Sequence, residues 1–160
     1  MNYDFWSFSL QFYQRPEVAK ACLELQDRDG ADVNLILFAL WAASRGHRLD
    51  ASAIAGAEQT VRQWRETVTQ QLRAARRAMK ARHDAFDVAA VEALRQQVLA
   101  AELEAERLQQ NAMATRLNDD AGDASPSAAR QNLSEYEVVL GRPIGSASVA
   151  ILLDVFAQFG

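Results

Sequence analysis

FWSFSLQFYQRPEVAKACLELQDRDGADVNLILFALWAA, residues 5–43, sets the architecture of this 160-residue chain. Its apolar residues recur at helical spacing, and strand alternation is nearly absent here and beyond. Phe5, Phe8 and Phe12 form one stripe of a first helix, with Trp6, Leu10 and Tyr13 beside it. Pro16 suits the first turn of a second helix, where a missing N–H costs nothing. Val18, Cys22 and Leu25 then recur at i, i+4 and i+7. Gly30 interrupts, with Asp27 to Gly30 reading as a polar turn between helices. Asp32 is placed to cap a third helix, its carboxylate accepting the free amides of the first turn. From Leu35 to Ala43 that helix is almost wholly apolar, so it belongs in the middle of a core. Gly46 is its expected stop.

Working outward, Asp50 caps a short helix through Ala55, and a longer one follows over about 58–82. Val61, Trp64, Val68, Leu72, Ala75 and Met79 form its apolar stripe. Arg62, Arg65, Thr69, Arg73, Arg76 and Lys80 form a basic stripe elsewhere on the cylinder. A fifth helix over about 86–117 has a seam of Val91, Leu94, Val98, Ala101, Ala105, Leu108 and Ala112, suited to packing on another long helix. Small polar residues dominate 118–131, which reads as a flexible linker. Ser134 with Glu137 has capping-box spacing for a short helix ending at Gly141 and Pro143. Ser146 caps a last one. The spacing predicts an all-α fold: an irregular bundle of about five to seven helices with a long hairpin made by the fourth and fifth. It divides into a helical domain over 1–117, the linker, and a C-terminal helical segment over 132–160 docked on the domain.

The net charge is -4, which argues against whole-chain nucleic-acid binding. Charge is unevenly spread, however: residues 61–83 carry seven basic groups and one acidic group. The single cysteine, Cys22, excludes an intrachain disulfide and suits a reducing compartment. MNYDFWSFS lacks the basic and apolar regions of a secretion signal. The longest apolar run falls far short of the roughly 18 residues a spanning helix needs. The expected location is the cytoplasm.

The 5–43 block joins Phe-Trp, Pro, Cys-Leu, Leu-Gln-Asp and Asp-Val-Asn-Leu in fixed order. In this it resembles the N-terminal signature of the DUF2390 family, proteobacterial proteins of about this length. WRETVTQQLRAARRAMK and AAELEAERLQQ further along also resemble that family. The likeness covers roughly the first two-thirds of the chain. It implies a bacterial source and a helical domain, and it supplies no activity, cofactor or catalytic residue.

Three constellations could carry chemistry. Glu24, Asp27, Asp29 and Asp32 are oxygen donors of the kind that hold Mg²⁺ or Ca²⁺, but their spacing is not that of an EF-hand loop. Turn and cap roles account for them more simply. Asn34 stands at the head of the apolar run, where a buried amide must find partners or cost about 1–3 kcal/mol. With Gln26 and Asp27 as neighbours it makes either a structural polar bridge or a small pocket. The basic stripe either binds an external anion or is neutralised by Glu92, Glu102, Glu104 and Glu106 of the returning helix. Carboxylates and arginines facing one cavity would resemble the diphosphate and Mg²⁺ sites of isoprenoid synthases. The repeated aspartate-rich motif of those sites is missing, and fold-level likeness alone does not carry function.

Cys22, His47 and His83 have no nucleophile or zinc spacing, no Gly-rich phosphate loop is present, and the aromatics fall on core stripes. The sequence names no catalytic residue, metal or cofactor. The leading expectation is a non-enzymatic cytoplasmic adaptor whose basic face, Arg62, Arg65, Arg73, Arg76 and Lys80, contacts an anionic protein partner. Self-association through the fifth helix is a second mode. The alternative is a small-molecule or Mg²⁺-dependent activity on a phosphorylated or diphosphate ligand, in a pocket lined by Gln26, Asp27, Asp32 and Asn34.

Overall fold

A computed structural model describes residues 4–118 and 122–159. Residues 1–3, part of the stretch read against a secretion signal, and residues 119–121 of the expected linker lie outside the described residues. Among the described residues the fold is all-α, with no strand. No described helix is long and apolar enough to cross a membrane.

Helix α1 (Phe5–Tyr13) starts at Asp4, whose carboxylate accepts from Ser7 N, and it buries Phe5, Phe8 and Phe12 as the spacing predicts. Helix α2 (Pro16–Asp29) carries Pro16 in its first turn and ends at Gly30, whose φ of 66° is the left-handed conformation glycine adopts without penalty. The helix therefore runs on through Asp27 and Asp29, where the sequence suggested a turn. Asp32 caps α3 (Val33–Ser44), accepting from Asn34 N and Leu35 N. Every residue of α3 from Leu35 to Ala43 is buried.

Asp50 caps α4 (Ala51–Trp64), but no short helix ends at Ala55. The helix continues into a π turn, Arg65–Thr69, and then α5 (Gln70–Ala78) as one unbroken run. In the π turn Gln70 N–H reaches back five residues to Arg65 O. A π turn spends one more residue per turn than an α turn, so it re-phases everything after it. Val61 is buried, as expected. Beyond the turn Thr69 replaces Val68 as the buried residue, and Ala75 is exposed while Arg76 is half-buried. Val68, Leu72 and Met79 of the expected apolar stripe are only half-buried. They share the inward side with Arg73 and Arg76, which are half-buried too.

Helix α6 (Val88–Ala114) returns antiparallel to α4 and α5, completing the expected hairpin. Its inner face holds Glu102, Ala105, Gln109, Gln110 and Met113, whereas Leu94 and Leu108 of the expected seam are exposed. A polar inner face is what arginines rotated inward require. Helix α7 (Pro126–Leu140) begins eight residues ahead of Ser134. Ser125 is its cap and Pro126 its first residue, the stronger start signal. Ser134 sits mid-helix, its hydroxyl donating to Arg130 O. Residues 126–131, expected in the linker, are thus helical. Residues 122–125 are tied to the end of α3 by Gly122 N to Arg45 O and Ser125 N to Ala43 O. Helix α8 (Ser146–Ala157) starts after Gly145, whose N–H donates to Asp29 Oδ2.

One buried cluster unites α1, α2, α3, α4, α7 and α8 with Met113 of α6. Helix α3 runs through it. Phe5 stacks on Trp41 at 5.1 Å between ring centroids, and Phe8 on Phe12 at 5.4 Å. Asn132 makes a fully buried tie between α7 and the rest. Its amide donates to Ala39 O and His47 O at 3.0 Å each and accepts from Leu49 N at 2.7 Å. Because Asn132 is fully buried, Asn132→Leu orphans three backbone groups at once. It should lower unfolding free energy in urea by about 3 kcal/mol. A loss below about 1 kcal/mol would show that this bridge does not hold α7 to α3.

Candidate functional site

The sequence around Asp32 folds so that one side chain serves two elements. Its Oδ1 caps α3, and its Oδ2 accepts from Arg65 Nη1 at 2.9 Å. Its backbone N–H donates to Tyr136 Oη of α7 at 2.7 Å. Arg65, the first residue of the π turn, also donates from Nη2 to Glu58 Oε1 at 2.8 Å. These contacts form one wall of a cleft of about 660 Å³ bounded by α1, the α2–α3 turn, the π turn, α6 and the end of α7. Gln26, Asp32 and Asn34 line it. Asp27 does not: it is exposed on α2, one residue round the helix from Gln26.

The basic stripe meets the same cleft. Arg62, Arg65 and Arg73 line it together with Glu58 and Glu106. None of the three is a free cation. Arg62 pairs with Glu58, Arg65 with Asp32 and Glu58, and Arg73 with Glu102 and Glu106. Arg76 also pairs with Glu102. Lys80 makes no ion pair among the described residues and adds to the field that lowers Glu92. Glu104 and Glu92 instead pair with Arg107 and Arg95 of their own helix. The stripe is thus mostly consumed within the chain.

Burial and pairing set the carboxyl groups apart. Burial raises Glu102, but hydrogen bonds from Arg76 and Arg73 outweigh it and hold the group below the usual carboxylate range. Glu106 goes the other way. Its burial raises it, and Arg73 offsets only part of that. Hydrogen bonds from Arg62 and Arg65 keep Glu58 low despite its partial burial. Burial also raises the Tyr13 phenol at the cleft wall.

The remaining lining is uncharged and dense in hydrogen-bonding groups. Gln110 Nε2 donates to Asn34 Oδ1 at 2.7 Å, and Thr69 Oγ1 donates to Gln109 Oε1 at 3.2 Å. Gln110 is 2% exposed, and its Oε1 has no partner among the described residues. Ser9 Oγ, also buried at the cleft, likewise has none. Sequence reasoning named Glu106 as a counter-charge to the stripe but missed Ser9, Glu58, Gln109 and Gln110. The signal was there for the last two, three and four residues after Glu106 on a helix that had to pack.

The acidic residues read as a metal candidate do other work. Glu24 accepts from Ser148 Oγ, Asp29 from Gly145 N, and Asp32 caps α3. Among the described residues no three acidic, His or Cys side chains are placed to hold a metal ion. Cys22 is buried, and burial pushes its thiol up to about 12, far from a reactive thiolate.

A family model described as "Protein of unknown function (DUF2390)" matches residues 4–113. No curated protein and no solved structure matches the chain. The matched span holds every cleft residue except those of α7, Tyr136, Val139 and Leu140.

Glu102 and Glu106 of α6 should respond unequally to change. Glu102→Gln strips Arg73 and Arg76 of a nearly buried partner and should cost about 3 kcal/mol at neutral pH. Glu106→Gln leaves Arg73 its bond to Glu102 and should cost less than about 1 kcal/mol there. The signs follow from linkage. Glu102, lowered on folding, stabilises above its unfolded value, and that contribution fades as pH falls through the folded one. Glu106, raised on folding, contributes below its unfolded value and loses that contribution as pH rises through the raised one. Urea unfolding from about pH 4.5 to neutrality should therefore show a flatter fall in stability with rising pH for Glu106→Gln than for the parent. Equal costs for the two substitutions would contradict these assignments.

Proposed function

The chain belongs to the DUF2390 family, and we propose that it is a small-molecule binding protein whose ligand occupies the cleft between α1, the π turn and α6. The observation that carries this reading is Gln110, buried at the cleft with an unpartnered acceptor. An unmade hydrogen bond at a buried acceptor costs about 1–3 kcal/mol, and ligand sites are where folds retain such costs. Two features support it. π turns occur frequently at functional sites, and this one contributes Arg65 and Thr69 to the lining. Concave pockets with a few convergent polar groups are the usual form of ligand sites, and volumes of roughly 300–1,000 Å³ are typical.

A basic docking face for an anionic macromolecule has less to draw on. Four of its five cations, Arg62, Arg65, Arg73 and Arg76, already have carboxylate partners. An external anion would have to displace those partners. A phosphorylated or diphosphate ligand faces the same competition. The cytoplasm of a bacterium is the setting we assign, supported by the family likeness and the buried thiol.

Thermal melting against a broad panel of metabolites tests the reading. A ligand at a hundredfold its Kd should stabilise by about 2.7 kcal/mol and raise Tm by several degrees. Leu103→Trp and Gln70→Trp place bulk at exposed positions of the cleft wall. They should leave the intrinsic Tm close to the parent's and abolish that rise. No rise for any compound, or an equal rise in the blocked variants, would overturn the assignment.

A further inference from the structure

Resting on the cleft as a ligand site, we infer that it reads the edge of a planar amide, a ring carrying a C=O beside an N–H as in a lactam or a uracil-type base. The inference starts from the Asn34–Gln110 pair. Two side-chain amides that face each other squarely make two hydrogen bonds, each donating to the other's oxygen. Here only one forms, from Gln110 Nε2 to Asn34 Oδ1. Its reciprocal is missing: Gln110 Oε1 has no partner, and no described residue accepts from Asn34 Nδ2. The bonded pair therefore leaves a buried acceptor on Gln110 and a donor on Asn34 without partners among the described residues, on two side chains that both line the cleft. A ligand group with the opposite order, donor beside acceptor, satisfies both. A planar cis amide presents that edge.

The surroundings favour an uncharged ring over an ion. The three arginines lining the cleft are matched by three carboxylates, Asp32, Glu58 and Glu106, so no net charge calls for a charged ligand. Trp6 and Tyr13 line the same space, half-buried, and supply flat apolar faces for a ring to lie on. At about 660 Å³ the cleft is larger than a single base, leaving room for a substituent on the ring.

The test titrates the full chain with uracil, 1,3-dimethyluracil, inorganic phosphate and an oligouridylate, read by ligand-observed NMR. Uracil should bind. Dimethyluracil, the same ring with a methyl group in place of each N–H hydrogen, should bind at least about tenfold more weakly, because a site built around a hydrogen bond rejects an analogue that lacks it. Gln110→Leu should erase the difference between the two. Since that variant can also loosen the fold, the methylated probe on the unaltered chain is the deciding arm. Equal binding of the two pyrimidines, or no binding of uracil, overturns the amide-edge inference. Tighter binding of the oligouridylate than of uracil overturns the assignment to a small molecule. Stabilisation by phosphate alone, lost in Leu103→Trp, would leave the cleft a ligand site and remove only the amide.

Discussion

The extra residue in the turn Arg65–Thr69 governs which side of the long helix meets α6. Ahead of it Val61 points into the core. From its last residue on, Thr69 is buried and Arg73 and Arg76 are half-buried, sharing the inward side with half-buried Val68, Leu72 and Met79, while Ala75 is exposed. A helix that presents arginines to its neighbour demands acids and amides in return, and α6 provides Glu102, Glu106, Gln109 and Gln110. The polar interior of the hairpin is a consequence of one backbone hydrogen bond made five residues back instead of four.

That interior needs an anchor, and Asp32 is well placed to be it. One carboxylate oxygen finishes α3 while the other holds Arg65 at the first residue of the π turn. The same residue's N–H engages Tyr136. The α2–α3 turn, the π turn and α7 thus share a single point of attachment at the cleft wall. Burial raises the Tyr136 phenol to about 12, so it stays a neutral hydroxyl at that junction. The cleft is accordingly bounded by fixed elements, and a ligand entering it does not have to order them first. Preorganisation of this kind lowers the cost of binding.

The apolar pattern of residues 5–43 was enough to read the core. Phe5, Phe8, Phe12, Val18, Cys22 and Leu25 are all buried, and Asp32 caps the helix it was placed to cap. The hairpin was legible for the same reason, since long helices joined by a short turn must run antiparallel. Gln26 and Asn34 stood out because polar groups beside a continuous apolar run need partners, and spacing alone left them open between a structural bridge and a pocket. What escaped was the phase of the helix downstream of Arg65. Helical periodicity assumes a constant number of residues per turn, and no local propensity in RETVT announces a π turn. Without that phase, spacing left Arg73 and Arg76 open between an external anion and the glutamates of the returning helix, and the structure pairs them with Glu102 and Glu106. The start of α7 was missed for a different reason. Small polar residues over 118–131 look like linker, yet Ser125 and Pro126 form a strong helix start, and Ala128 and Ala129 are small because they are buried.

Because the re-phasing is what turns the arginines inward, the coupling between Arg76 and Glu102 is its most direct readout. A double-mutant cycle in urea, built from Arg76→Gln, Glu102→Gln and the pair, should give a coupling energy of about 2 kcal/mol. That value belongs to a paired, nearly buried carboxylate. A coupling near zero would mean that the arginine points to water, that the helix keeps its ordinary phase, and that the polar cleft described above does not form.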